Sequence, residues 1–171
     1  MQDEKLEQNY EGTPLSQNAN TAITGFVGGL FWGFIGLVCY YFHFTEISPV
    51  MVLEPWTVGT WKDTWLGVVI SLLILGLLGI LAAFLYQLLL KNVQSIWVSL
   101  FYGALLFLFV FYILNPLFPD LNPLRELKRN TIITTFCLYL LFGTFVGYSI
   151  SYDTYERKTM AAEKNEQKNV Q

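Results

Sequence analysis

Cys39, His43 and Cys137 are the residues of this 171-residue chain whose types could bind a metal or cross-link the fold. Cys39 and His43 stand four positions apart, which places them on one face of a helix. Cys137 falls at a similar depth in a later apolar segment. Two thiols and an imidazole so placed would suit a disulfide or a thiol-rich metal site. No fourth ligand stands at a metal-binding spacing, and the favoured reading is two inert buried thiols beside an interfacial histidine. Neither a metal nor any other cofactor is expected.

Other catalytic templates are absent from the sequence. It has no Gly-rich phosphate loop ending in Lys-Ser/Thr, no HExxH and no GxSxG. His43 is the lone histidine, which removes most acid–base triads. The carboxylates Glu46, Glu54, Asp63, Asp120 and Glu126 are sparse and read as solvated loop charges. The expectation is a protein that is not an enzyme.

The elements that would position these groups are set by hydropathy. Charged residues make up 13% of the chain and hydrophobic ones 54%, with a mean hydropathy of +0.45. Soluble domains carry about a quarter of their residues as charges. A net charge of -3 implies no nucleic-acid partner. Crossing roughly 30 Å of hydrocarbon takes about 20 apolar residues in a helix. Four stretches meet that need: 22–44, 64–90, 93–114 and 131–152. A soluble chain of this size could not bury four helices that are apolar on every side. The reading is an all-α fold, an integral membrane four-helix bundle over 22–152. A polar tail precedes it at 1–21 and another follows at 153–171.

The front of the chain lacks the pattern of a cleavable signal, so the first span is expected to stay as an anchor. Only Lys91 and Asn92 separate the second and third spans, which predicts a tight antiparallel hairpin between them. The connection 45–63, with Trp56, Trp61 and the adjacent Trp65, suits the headgroup level. The run after Pro123 suits a short amphipathic turn on the membrane surface. Four spans put both termini on one side, with Lys5, Lys91, Arg157, Lys158, Lys164 and Lys168. Lys62, Arg125, Lys128 and Arg129 lie opposite, and the excess favours cytoplasmic termini.

Small residues recur four apart in every span. They are Gly25, Gly29 and Gly33; then Gly67, Ser71, Gly79 and Ala83; then Ser95, Ser99 and Gly103; then Gly143 and Gly147. In lipid, such faces mark where helix backbones approach. The face of span one packs either against a neighbour in the same chain or against a second copy. No span carries a charge at its middle, which weighs against ion-coupled transport. The functional expectation is an accessory or scaffold protein that packs on other membrane proteins, with the lipid bilayer, another membrane protein or itself as partner. The alternative is a small channel or transporter component.

The run Asn130-Thr131-Ile132-Ile133-Thr134-Thr135-Phe136-Cys137-Leu138-Tyr139, with Gly143, Gly147, Tyr148, Ser149, Ser151 and Tyr152 after it, resembles the YqhR family. The Gly-rich first span behind a polar start and the overall length resemble it too. These are small four-span membrane proteins of endospore-forming Gram-positive bacteria. The resemblance implies a bacterial cell membrane and the span count, and it supplies no catalytic motif. Asn130, Thr131, Thr134, Thr135 and Tyr139 are the candidate functional polar face of that stretch. Their simplest role is hydrogen bonding inside the bundle.

Overall fold

The computed structural model describes residues 16–56, 64–90, 93, 95–114 and 127–169. Four helices dominate: α1 (Gln17–Tyr41), α2 (Trp65–Leu90), α3 (Ile96–Leu108) and α4 (Arg129–Asn169). Wider π-helical turns extend α3 over Phe109–Leu114, and a short 3-10 helix spans Pro49–Trp56. All four helices are long and apolar enough to cross a membrane. The bundle is inverted relative to a soluble protein. Large apolar side chains such as Phe31, Leu77, Phe101 and Ile133 are each more than half exposed. Ala83, Ser71, Ser99, Thr131 and Tyr86 are buried. Only lipid makes that distribution favourable, since apolar exteriors cost nothing there while close helix contact needs small residues.

Helix pairing follows the small residues. α1 packs mainly on α2, α3 mainly on α4, and α4 joins the two pairs by touching α1 and α2. In the first pair, a β-carbon at Gly25 would strike the Gly79 carbonyl, and one at Gly79 would strike the Gly25 carbonyl. An α-hydrogen of each glycine therefore points at the other's carbonyl oxygen, a weak attraction available only at such close approach. Gly29 lies against the backbone of Leu75 and Gly76, and Gly33 against the Leu72 and Leu75 side chains. Gly28, on another face of α1, receives the rings of Phe142 and Phe145 from α4. In the second pair Gly103 meets the backbone of Tyr139 and Leu140, Gly143 meets Gly103, and Gly147 meets Ser99. The Gly25–Gly29–Gly33 face of span one thus lies against α2 of the same chain.

The link expected to close a tight hairpin between the second and third spans, Lys91 and Asn92, lies outside the described residues. α2 and α3 scarcely approach at backbone level, although they are neighbours in sequence. Aromatic rings fill the gap: Tyr86 and Tyr102 meet edge to face, with centroids 5.1 Å apart. The Tyr102 hydroxyl donates to the Ala82 carbonyl at 2.6 Å. Glycine faces draw α2 to α1 and α3 to α4, and tyrosine keeps α2 and α3 apart. Helix bounds also differ from the hydropathy reading. α1 starts at Gln17 rather than Ala22, because its first polar turn finds hydrogen-bond partners on other helices. α4 continues through most of the polar tail, to Asn169. At 41 residues it is about 60 Å long, roughly twice the hydrocarbon thickness. Trp61 and residues 124–126 of the run after Pro123 lie outside the described residues.

His43 closes α1 in a left-handed conformation, with φ at 62°. Its N–H donates to the Tyr40 carbonyl at 3.0 Å, and the Phe44 N–H donates to the Cys39 carbonyl at 2.9 Å. These two bonds form a Schellman cap, whose left-handed position favours glycine. A β-carbon there costs roughly 1–2 kcal/mol, and glycine's extra unfolded-state freedom offsets about half of the gain from removing it. His43→Gly is therefore expected to stabilise the bundle by about 0.5–1 kcal/mol. Thermal unfolding in detergent would show it as a higher midpoint; a lower one would assign the imidazole a contact that outweighs the strain.

Candidate functional site

Polar side chains gather at the end of the bundle where α1 begins and α4 leaves the membrane. The first turn of α1 supplies Gln17, Asn18 and Asn20. Gln17 donates to the Thr154 hydroxyl at 2.9 Å, and Asn20 donates to the Asp153 carboxylate at 2.8 Å. Asp153 also accepts from Arg157 one turn on, at 2.9 Å. Gln87, at the end of α2, donates to the Asn18 carbonyl oxygen at 3.0 Å. Three helices are thus latched together where hydrocarbon gives way to water. The contacts between helices are made by side-chain amides, and the Asp153 charge is balanced by Arg157, which suits a site that is only partly hydrated.

Just inside this latch lies a chain of hydroxyls. Tyr86 on α2 touches Ser99 on α3 and Ser151 on α4, each at 3.1 Å. Ser151 donates to the Val93 carbonyl at 3.2 Å. Proton counting fixes the direction, because a hydroxyl has one proton to give. Ser151 spends its proton on a carbonyl, so Tyr86 must donate to Ser151, and Ser99 must donate to Tyr86. Around this chain Ala83, Tyr86, Tyr102, Val146 and Ile150 form a buried cluster. Tyr86 thereby ties α2, α3 and α4 together where α2 and α3 scarcely approach at backbone level.

At the opposite end, Phe107, Phe111 and Leu127 form a second cluster with Phe136 and Tyr139 packed on it. Above it the first connection is pinned to α4. The Glu46 N–H donates to the Thr131 hydroxyl at 3.1 Å, and the Glu46 carboxylate pairs with Lys128. The hydrogen-bonded Lys128 ammonium holds the Glu46 carboxyl below its ordinary value of 4.5. A carboxyl with a lowered folded-state pKa stabilises the fold above its unfolded value, and that stability is lost as pH falls through the lowered one. The pair is exposed, so the effect is small. Glu46→Gln is expected to lower the unfolding midpoint slightly at about pH 7 and to match the parent protein at about pH 3. A difference of equal size at both pH values would assign it to something other than the carboxylate charge.

The candidate polar face does not stay together. Thr131 and Thr135 turn inward and are buried, Asn130 is exposed, and Tyr139 sits edge-on to Phe107 and Phe111. Cys39 is half-buried, Cys137 is exposed, and both are free thiols. No group of three or more His, Cys, Asp or Glu able to hold a metal occurs among the described residues. Glu46 and Glu54 line one cleft with Tyr40, Ser48 and Met51. Sequence reading passed over Tyr86, Gln87 and the Asn18–Asn20 turn. A Tyr-Gln pair closing an otherwise apolar span was the available signal, since polar side chains in such a run need partners.

Four apolar helices joined through small-residue faces, with hydroxyls turned inward and large apolar groups outward, define a multi-pass membrane protein. A family model described as "Conserved membrane protein YqhR" matches residues 1–167. The chain is also similar to "Uncharacterized protein YqhR" of Bacillus subtilis (strain 168), at 49% identity over 152 residues, which is 89% of this chain and 85% of that protein. It therefore belongs to the YqhR family. No solved structure is significantly similar to it.

Proposed function

We propose that this protein is a non-catalytic accessory protein of the bacterial cell membrane, and that it holds a partner through the part of α4 beyond the bilayer. The observation that carries the reading is the reach of that segment and the exposure of its first residues. α4 is about twice as long as the hydrocarbon is thick, and its residues from Lys158 to Ala162 are exposed. A polar helix of only a few turns is marginal by itself. Here its base is fixed by the Asn20–Asp153 and Gln17–Thr154 bonds, so the arm is presented in one direction. The small-residue faces serve internal packing, which leaves the arm as the natural place for an outside contact. A channel reading gains little, because the hydroxyls of Tyr86, Ser99, Ser151 and Tyr102 bond to one another or to backbone carbonyls. The excess of Lys and Arg on the side of the termini supports a cytoplasmic arm.

The test is a mild-detergent pull-down from native membranes with stoichiometry read by mass spectrometry. The full chain is compared with one ending after Arg157. A near-equimolar partner held by the full chain and lost from the shortened one is the expected result. Recovery of the protein alone, or a partner held equally by both, would reject the reading.

A further inference from the structure

A cleft of about 130 Å³ lies between the start of α3 and the outgoing part of α4. Ser95, Ile96 and Ser99 line it from the start of α3, and Tyr148, Ser151, Tyr152 and Tyr155 line it from α4. We propose that it binds the headgroup of a single membrane lipid that carries free hydroxyls, of the phosphatidylglycerol kind.

Depth identifies the occupant as a lipid. α3 begins at Ile96, and α4 passes its Asp153–Arg157 ion pair beside the cleft, so the cleft sits where the spans meet the aqueous boundary. Tyrosine concentrates at that level in membrane proteins. Tyr148, Tyr152 and Tyr155 are each more than half exposed, and the first two stack with centroids 6.1 Å apart. The cleft is too small for a helix, whose diameter is about 10 Å with side chains. A group of several heavy atoms fits it.

Hydrogen-bond direction identifies the headgroup. The Ser99 and Ser151 protons are already given to Tyr86 and to the Val93 carbonyl, so their oxygens offer the cleft lone pairs alone. A ligand reaching them must donate. Ser95 makes no side-chain cap bond, and its hydroxyl is available to give or accept, as are the exposed tyrosine hydroxyls. Among the described residues no charged side chain lines the cleft, so none of them balances an ammonium group there. A choline headgroup has no proton to donate. A glycerol headgroup both donates and accepts, which matches a floor of acceptors under a rim of hydroxyls.

The experiment is native mass spectrometry of the detergent-solubilised full chain titrated with short-chain lipids. Phosphatidylglycerol is compared with phosphatidylmethanol, which carries the same charge without a hydroxyl. A preference of about tenfold for phosphatidylglycerol is expected, the equivalent of about one net hydrogen bond. Combining Ser95→Ala with Tyr152→Phe removes two rim hydroxyls at exposed or half-exposed positions and should reduce that preference towards parity. An unchanged thermal midpoint would show that the variant is folded. Equal affinity for the two lipids would overturn the proposal, and so would a preference that survives in the double variant. Competition by free glycerol as strong as that by the short-chain lipid would overturn it too, since the site would then not require a lipid.

Discussion

Gly29→Leu is expected to break the α1–α2 pair and destabilise the bundle by at least about 3 kcal/mol, the upper end of the range for overpacked cores. A β-carbon at Gly29 would meet the Leu75 carbonyl oxygen and would lie 2.9 Å from the Gly76 α-carbon. Those are backbone atoms of a helix, which cannot turn aside as a side-chain tip can. The two helices would have to separate along the contact that Gly25 and Gly79 share, losing packing along the whole face. Gly36→Leu is the matched control. Its nearest neighbours, the Leu138 and Pro49 side chains, are at 3.9 and 4.0 Å, so it should be tolerated. Thermal unfolding and size-exclusion chromatography in the same detergent separate the two readings of this glycine face. Loss of stability at constant particle size is the expected outcome. A smaller particle with undiminished stability would mean that the face joins copies of the chain.

Tyr86→Ala is the second large effect. Tyr86 is fully buried and fills the space that α2 and α3 leave between them. Removing a buried aromatic ring costs about 3–5 kcal/mol. Tyr86→Phe isolates the hydroxyl part of that sum. It leaves Ser99 with no acceptor for its proton and Ser151 with one donor fewer. Hydrogen bonds between membrane helices average about 0.6 kcal/mol and reach about 1.7, so Tyr86→Phe should cost about 1–2 kcal/mol. Unfolding midpoints of the two variants beside the parent would check both. Equal losses would place the whole effect in the hydroxyl chain and none in the ring. A silent Tyr86→Phe would mean that water replaces the phenol at no cost.

The same residues show how far the sequence could be read. The spans were legible because the bilayer imposes one requirement, length and apolarity, that each segment meets without help from its neighbours. The Gly25–Gly29–Gly33 repeat was legible as a contact face for a similar reason, since four-residue spacing alone puts small residues on one side of a helix. Which helix would cover that face was not legible. Gly79, Ser99 and Gly143 offered equally small surfaces, and choosing among them depends on which faces remain once all four helices are together. The short link after α2 did not show how widely α2 and α3 would stand apart, because the facing residues there are Tyr86 and Tyr102.

The polar end was hidden for another reason. Gln17, Asn18 and Asn20 look like the close of a soluble tail, and nothing near them in sequence shows that Thr154, Asp153 and Gln87 will meet them. Asn130 to Tyr139 looks like a single polar face, yet a 3.6-residue turn sends Thr131 and Thr135 inward while leaving Asn130 outside. By itself, then, the sequence determined that the chain is a four-span membrane protein, because each span satisfies the bilayer through its own composition and its own backbone hydrogen bonds. Tertiary structure alone decided the helix partners, the hydroxyl chain through Tyr86, the latch at the base of α4 and the cleft beside Tyr152. Each of these is a contact between residues far apart in the chain, and it exists only when other helices bring both sides together.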